Sequence, residues 1–455
     1  MVQTLPKSPR KGKATPNHPP WPSFHSPTKD LSQPTKLRLF ASIIAVNFLL
    51  VIVPLHTFLR TEPPQAPRNQ CENGTVFVYN LPPQYNADLV DGSLYSNNGF
   101  GNPTTASFSF SIPPDLAASW FHTEQFALEV IFHSRMKRHA CRADSPENAT
   151  AFYFPFYPGL AVARNLLRKN ATHEELDREC NSAMEWLEKQ RHFGRFQGRD
   201  HFVVFSRITW DFRRGNLSDW GSSCIYHPTM RNVTRLLIER HPWDEMDVGA
   251  PYPTGFHPKT QWELARWQEF VRSKPRKALF SFVGGPRKKY PNDFRVVLLN
   301  HCKKNQPLCL SVDCSSRKCS NDSSPTLEAF LDSEFCLQPR GDSFTRKSVF
   351  DCLVAGSIPV FFWRRTAYFQ YQWFLPNEPE SFSVFIHRTG VVNGSVDIRE
   401  VLEKIGQAQK RQMRDKVVEI IPKIVYGRGN GIHDAVDVAV DEILKRFKRK
   451  DLLIN

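Results

Sequence analysis

From Cys71 onward, short continuous apolar runs alternate with longer segments whose apolar residues recur every third or fourth position. "TVFVYNLP", "ATAFYFPFYPG" and "RDHFVVFSRITWDF" are apolar runs closed by turn residues, which predicts buried strands. Between them, "WFHTEQFALEVIFHSRMKRH" sets Phe126, Val130 and Ile131 at helical spacing, and "HEELDRECNSAMEWLEKQ" reads as a helix with a solvated charged face. Such alternation predicts an α/β domain with a mostly parallel sheet. The Pro- and Gly-rich stretch "DVGAPYPTGFHP", residues 247–258, reads as a crossover. The pattern then restarts. "WELARWQEFVRSK" predicts a helix, "KALFSFVGGPRKKY" a strand and turn, and a further helix begins near Asp293. A cysteine-rich loop follows, then "FCLQPRGDSFTRKSVFDCLVAGSIPVFF" at 335–362, the strand "SFSVFI" and two helices. The expected body is two Rossmann-like α/β domains, 71–258 and 259–455, facing a cleft.

The first 70 residues have a different character. Residues 1–38 are rich in Pro, Ser, Thr and Lys and read as a disordered tail. Residues 39–59, "LFASIIAVNFLLVIVPLHTFL", carry no formal charge and are long enough for a hydrocarbon core of roughly 30 Å. Seven basic residues from Lys7 to Arg38 precede this run against Asp30 alone. The positive-inside rule therefore keeps the N-terminus cytosolic and makes 39–59 a transmembrane signal anchor, with a Pro-rich stem at 60–70. A cleaved signal peptide is disfavoured by the long basic leader and the extended apolar run.

Cysteine placement agrees with a body outside the cytosol. All ten cysteines follow the apolar span, as an oxidising compartment and disulfides would have it. The group Cys302, Cys309, Cys314 and Cys319 is spaced too widely for the usual zinc pairs, so disulfides are expected there. Sequons at Asn73, Asn148, Asn170, Asn216, Asn232, Asn321 and Asn393 add supporting evidence for glycosylation. The formal charge is +15, but the basic residues are spread out and no nucleic-acid module is present. An acidic small-molecule substrate accounts for the charge at least as well.

Candidate chemistry concentrates in 335–362. Read as strand–loop–helix–strand, with the helix from about Ser343 to Ala355 and Gly356 as its cap, the segment places Arg340, Ser343, Thr345 and Arg346 beyond a strand's carboxyl end, where open α/β sheets bind ligands. Gly341 permits close backbone approach, and a helix N-terminus favours an anion. A diphosphate is the simplest occupant, with Asp351 accepting from ribose hydroxyls. The plainer alternative is helix capping by Ser343 or Thr345 with Lys347–Asp351 as a surface ion pair. A second Arg-bearing turn, "FVGGPRKKYPNDFR", brings Arg287 and Arg295. There is no P-loop and no D-x-D metal motif. These features describe a GT-B glycosyltransferase in which cationic side chains stabilise a leaving diphosphate without a metal cofactor.

"FCLQPRGDSFTRKSVFDCLVAGSIPVFF" resembles the C-terminal motif of the exostosin-like glycosyltransferases. "VYNLPPQYN", "FYFPFYPGLAVAR", "GRDHFVVFSRITWDFRR", "PYPTGFHP" and "LFSFVGGPR" are similar to the plant xyloglucan galactosyltransferase branch of that family. The resemblance implies an inverting GT-B enzyme held in the Golgi membrane as a single-pass type II protein with a luminal body. The UDP-sugar donor would be UDP-galactose and the acceptor a xylosyl side chain of xyloglucan, with a Golgi transferase complex as a partner. It assigns 71–258 to the acceptor and 259–455 to the nucleotide sugar. Arg287, Arg340, Gly341, Ser343, Thr345 and Arg346 match the donor-phosphate turns, and Asp351 the ribose-contacting acid. Relatives use other UDP-sugars, including UDP-galacturonic acid, so a sister transferase is the alternative reading; a silent scaffold is a third.

Inversion needs a general base on the acceptor side. Asp211, His201 and Glu124 are the candidates, Asp211 first because it follows an apolar strand. Each has a structural alternative: a packed histidine for His201, and a pair with Arg213 or Arg214 for Asp211. Tyr157, Trp210 and Trp220 offer aromatic faces to acceptor sugars, or serve as ordinary core.

Overall fold

A computed structural model describes residues 71–104, 112–215, 219–287, 293–315, 319, 324–429 and 431–451. The tail, the apolar span 39–59 and the stem lie outside these residues, as do Asn216 and Asn321. Among the described residues no helix is long and apolar enough to cross a membrane.

Two five-stranded sheets, parallel throughout, carry the architecture. The first contains β1 (Val76–Val78), β2 (Ala151–Tyr153), β3 (His201–Ile208), β4 (Thr234–Glu239) and β5 (Asp247–Gly249), paired in that order. The second contains β6 (Ala278–Val283), β7 (Cys309–Val312), β8 (Ser333–Gln338), β9 (Ile358–Phe361) and β10 (Val384–Phe385), in the order β10-β9-β8-β6-β7. Strands β2 and β4 are buried at every position, and β3 at its first six. That is why they read as continuous apolar runs: parallel strands are covered on both faces.

Helices follow the sequence pattern where caps are strong. Around the first sheet lie α1 (Leu128–Met136), α2 (Pro158–Leu166) and α3 (His173–Glu188). Thr172 and Glu175 form a reciprocal capping box at the start of α3, and Leu176, Cys180, Ala183, Met184 and Leu187 form its buried stripe. The next helix, α4 (Gln261–Ser273), starts at the Thr260 cap and buries Leu264, Trp267 and Val271. Asp293 caps α5 (Phe294–Lys304). Past β8 comes α6 (Ser348–Val354), followed further on by α7 (Gln407–Ile424) and α8 (Ala435–Asp451).

Three expectations are corrected. Asp247–Gly249, read as part of a crossover, pairs with β4 as an edge strand. Cys309–Val312, read as loop, pairs with β6. The helix expected from Ser343 begins only at Ser348, because residues 341–347 stay in an irregular turn held by tertiary hydrogen bonds. Gly356 does follow that helix, with φ +67°.

One apolar cluster runs through both sheets. At its centre Trp267 donates Nε1–H to the Val354 carbonyl at 2.8 Å and packs on Trp120 and Phe256. Helix α8 packs on α1 and β2 of the first sheet. Arg135 of α1 bonds Asp434 at 3.2 Å and Asp437 at 3.3 Å, and His139 bonds Asp437 at 3.1 Å. Five disulfides join all ten cysteines: 71–141, 180–224, 302–309, 314–319 and 336–352. The four clustered cysteines are thus two disulfides, and no metal-binding cluster occurs among the described residues.

Candidate active site

The carboxyl ends of β6 and β8 lie side by side, since the strands pair directly. The turns leaving them interlock. Arg346 donates Nη2–H to the Val283 carbonyl at 2.6 Å, and Arg287 donates Nη1–H to the Gly341 carbonyl at 2.9 Å. Arg287 is itself held by Asp293 through Nε at 3.0 Å and Nη2 at 2.6 Å. Arg295 pairs with Asp342 at 3.5 Å, and Arg340 donates to the Asp342 carbonyl at 3.3 Å. Gly341 is required here: a Cβ would stand 2.0 Å from the Thr345 carbonyl oxygen. Cys336 and Cys352 bridge β8 to α6 and so clamp the turn at both ends.

This arrangement concentrates positive charge. Burial, with the neighbouring Arg295, pushes the Arg346 guanidinium below its usual range, and burial does the same to Arg295. Arg346 Nη1 and Arg295 Nε are buried and lack a protein acceptor. Ser343 Oγ lies beside Glu239 and Thr345 Oγ1 beside Tyr371, yet neither hydroxyl completes a well-shaped hydrogen bond. Buried donors without acceptors cost stability unless a ligand supplies them. An anion with several oxygens would satisfy the set. Asp351 is engaged by Lys347 at 2.6 Å, the ion pair of the plainer reading.

The first sheet meets this turn at Glu239, the last residue of β4. Its Oε2 accepts the Thr345 N–H at 2.9 Å. Burial raises its carboxyl to about 7. Sequence reasoning missed Glu239; an acid ending the apolar run "VTRLLIE" was the available signal. A second fully buried acid, Glu129, is also raised by burial to about 7. It accepts N–H groups from Gly159 at 2.7 Å, Leu160 at 3.2 Å and Ser206 at 2.8 Å, tying the start of α2 to β3.

The three base candidates are placed very differently. His201 opens β3, at the end of the strand remote from its carboxyl-end loops. It is fully buried, bonded to Tyr79 and Asp200, and stacked on Phe152. Asp211 does lie beyond the carboxyl end of β3, but it is buried, and its two oxygens accept from Arg207 at 2.7 Å and Trp220 at 2.8 Å. Glu124 is half-buried before α1. Burial raises its carboxyl, while the Phe126 N–H that it accepts, Arg207, and Lys347 of the donor turn pull the other way. Tyr157 is core, bonded to His133 at 2.7 Å. Trp210 and Trp220 are exposed. Asn148, Asn170 and Asn393 are exposed, and Asn73 and Asn232 half-buried.

Beyond β9 and β10, Trp363, Arg364, Phe369, Phe385, His387 and Arg388 line a cavity of about 450 Å³. Trp363 also lies under Arg340, 5.4 Å from ring to guanidinium, so the cavity opens beside the arginine turn.

Residues 70–404 match the family model described as the Exostosin GT47 domain. The chain belongs to the exostosin GT47 family. This GT47 chain is 51% identical over 397 residues to the xyloglucan galactosyltransferase XLT2 of Arabidopsis thaliana, covering 84% of the chain and 76% of that relative. It is 37% identical to the xyloglucan galactosyltransferase MUR3 of the same plant, over 83% of the chain and 63% of MUR3. Identity is also 37% to a xyloglucan-specific galacturonosyltransferase from Arabidopsis, over 83% of the chain and 58% of that relative. Among solved structures, a glycosyltransferase from Rickettsia africae aligns over 82% of the GT47 chain with 9% identity and a TM-score of 0.36.

Proposed function

We propose that this chain is an inverting, GT-B-type glycosyltransferase that moves galactose from UDP-galactose to xylosyl side chains of xyloglucan. The observation that carries the reading is Arg346 Nη1, buried without an acceptor among Arg287, Arg295 and Arg340, in a chain 51% identical to a xyloglucan galactosyltransferase. The diphosphate would accept from Arg346, Arg295 and the hydroxyls of Ser343 and Thr345, with the uridine toward Trp363 and Asp351 near the ribose. An acceptor hydroxyl then attacks the anomeric carbon on the face opposite UDP. The new C–O bond forms as the bond to UDP breaks, and the hydroxyl proton passes to the acceptor-side base. The arginines offset the negative charge that builds on the leaving diphosphate, so the reaction is expected to need no metal cofactor.

Glu124 is the base we favour, because it is half-buried rather than braced by an ion pair and burial raises its carboxyl, with Lys347 of the donor turn among the charges acting on it. Asp211 serves better as a brace for Arg207 and Trp220, and His201 as a packed histidine. We further propose a type II Golgi membrane anchor at 39–59, a luminal body glycosylated at the exposed sequons, and association with other Golgi transferases. The basic leader and the fully paired cysteines support that placement.

A galacturonosyl donor is the second reading, favoured by the 37% identity to a xyloglucan-specific galacturonosyltransferase. The two are separated by offering xyloglucan oligosaccharides with UDP-galactose, UDP-galacturonic acid, UDP-xylose and UDP-arabinose, with and without EDTA. Galactose transfer insensitive to EDTA is expected. Transfer from another donor would move the assignment to the sister activity, and loss with EDTA would overturn the metal-free site.

A further inference from the structure

Phe344 stands between Ser343 and Thr345 and is buried at the centre of a ring cluster that joins the two sheets. Trp210 stacks on one side of it, with centroids 5.8 Å apart and planes at 27°. Trp363 stacks at 5.5 Å and 24°. His241 and Trp243, from the loop beyond β4, close the cluster edge-on at 6.4 Å and 6.5 Å. Arg365 lies over Trp243 at 4.4 Å and over Trp363 at 5.4 Å, and has no carboxylate partner among the described residues.

A cluster serving only to brace the turn would bury its outer rings, because indole burial is where the stabilisation lies. These outer rings are open: Trp210 is 43% exposed and Trp243 62%. Both lie on the first sheet's side and are linked through His241, 5.8 Å from Trp210 and 5.2 Å from Trp243. The exposed rings are thus continuous with the arginine turn, with a free guanidinium at their margin. Rings with polar neighbours fit a ligand with flat C–H faces and a rim of hydroxyls. A β-linked glucan has that form: its pyranose rings present axial C–H groups and keep their hydroxyls equatorial.

We propose that Trp210 and Trp243 form a stacking platform for the β-linked glucan backbone of the acceptor, with Arg365 bonding its hydroxyls. The proposal rests on the xyloglucan reading above and adds where the polymer lies. Sugar rings on the platform set the side chain toward the donor turn.

The test uses the full-length chain as wild type, Trp243→Ala and Trp243→Tyr, measuring the Kd for xyloglucan oligosaccharides by calorimetry with UDP present, and the Kd for UDP alone. Trp243 is exposed, so truncation should leave the fold intact, and a matching circular dichroism spectrum verifies this. The expected result is a glucan Kd raised about five-fold or more in Trp243→Ala, near wild type in Trp243→Tyr, and a UDP Kd within two-fold. A wild-type chain that binds the oligosaccharides and a Trp243→Ala variant that binds them equally would overturn the platform and leave the transfer reading standing. A wild-type chain that binds UDP but no xyloglucan fragment would overturn the platform together with the acceptor assignment.

Discussion

Glu239 Oε2 accepts the Thr345 amide at 2.9 Å, so the last residue of a first-sheet strand holds the donor turn of the second. That carboxyl is raised from its ordinary value to about 7, chiefly by burial. Below pH about 4.5 both the folded and unfolded chains keep this proton. Between there and pH 7 the unfolded chain loses it first, so stability falls as pH rises.

Glu239→Gln removes this dependence while keeping an acceptor for Thr345. Thermal denaturation should show the variant level with wild type near pH 5 and more stable near pH 8, by up to roughly 3 kcal/mol. Glu129 has a similarly raised value and is present in both proteins, so the difference isolates Glu239. Parallel pH profiles for the two proteins would show that Glu239 is ionised at no cost in the fold.

Arg346→Ala should weaken UDP binding about 10- to 100-fold, the range for losing one charge-assisted hydrogen bond of 1.5–3 kcal/mol. Arg346→Lys keeps the charge without the planar fork and should recover part of the loss. Unchanged UDP affinity in Arg346→Ala, measured by calorimetry, would sink the diphosphate assignment.

Glu124→Gln should lower turnover by about 100-fold or more while UDP affinity holds, because the base acts only on the acceptor proton. His201→Ala should instead act mainly on stability, since it empties a fully buried ring site stacked on Phe152. Steady-state kinetics beside melting curves tests both. A Glu124→Gln variant with normal turnover would return the role to the other candidates.

The Cys336–Cys352 bridge closes a loop with a sequence separation of 16 around the donor turn. Replacing both cysteines with serine should cost about 3 kcal/mol, as expected for a loop near 15 residues. UDP affinity should fall with it, because the turn loses its clamp. A double variant with unaltered melting and binding would show that the hydrogen bonds from Glu239 and Arg287 suffice.

The central strands were legible because they are buried on both faces: "HFVVFSRI" has no other stable place, whereas the half-exposed edge strand Cys309–Val312 was read as loop. The helix at 343 was misplaced for a reason that lies outside the local sequence. "SFTRKS" has adequate helix formers, but Glu239, ending a distant strand, holds its Thr345 amide, and Arg287, from the turn after β6, holds the Gly341 carbonyl just before it, in an irregular turn. Glu239 went unseen because an acid ending the apolar run "VTRLLIE" is only a weak local signal, and its meaning comes from meeting Thr345. Gly341, Arg340 and Arg346 stood out in the sequence because glycine, arginine and hydroxyl residues crowd one loop. Which carboxylate faces that loop is a tertiary fact: Asp211 had the better sequence position, and its oxygens are spent on Arg207 and Trp220.

Helix α8 seals α1 and β2 with residues made long after the sheet they cover, fixed by Arg135 on Asp434 and Asp437. The first sheet has all five strands once Gly249 has emerged, yet its flank stays uncovered until residues 435–451 follow. Domains usually settle in the order they are made. Here the early half waits on the late one, and a chain released before α8 would present a bare apolar flank to chaperones and quality control.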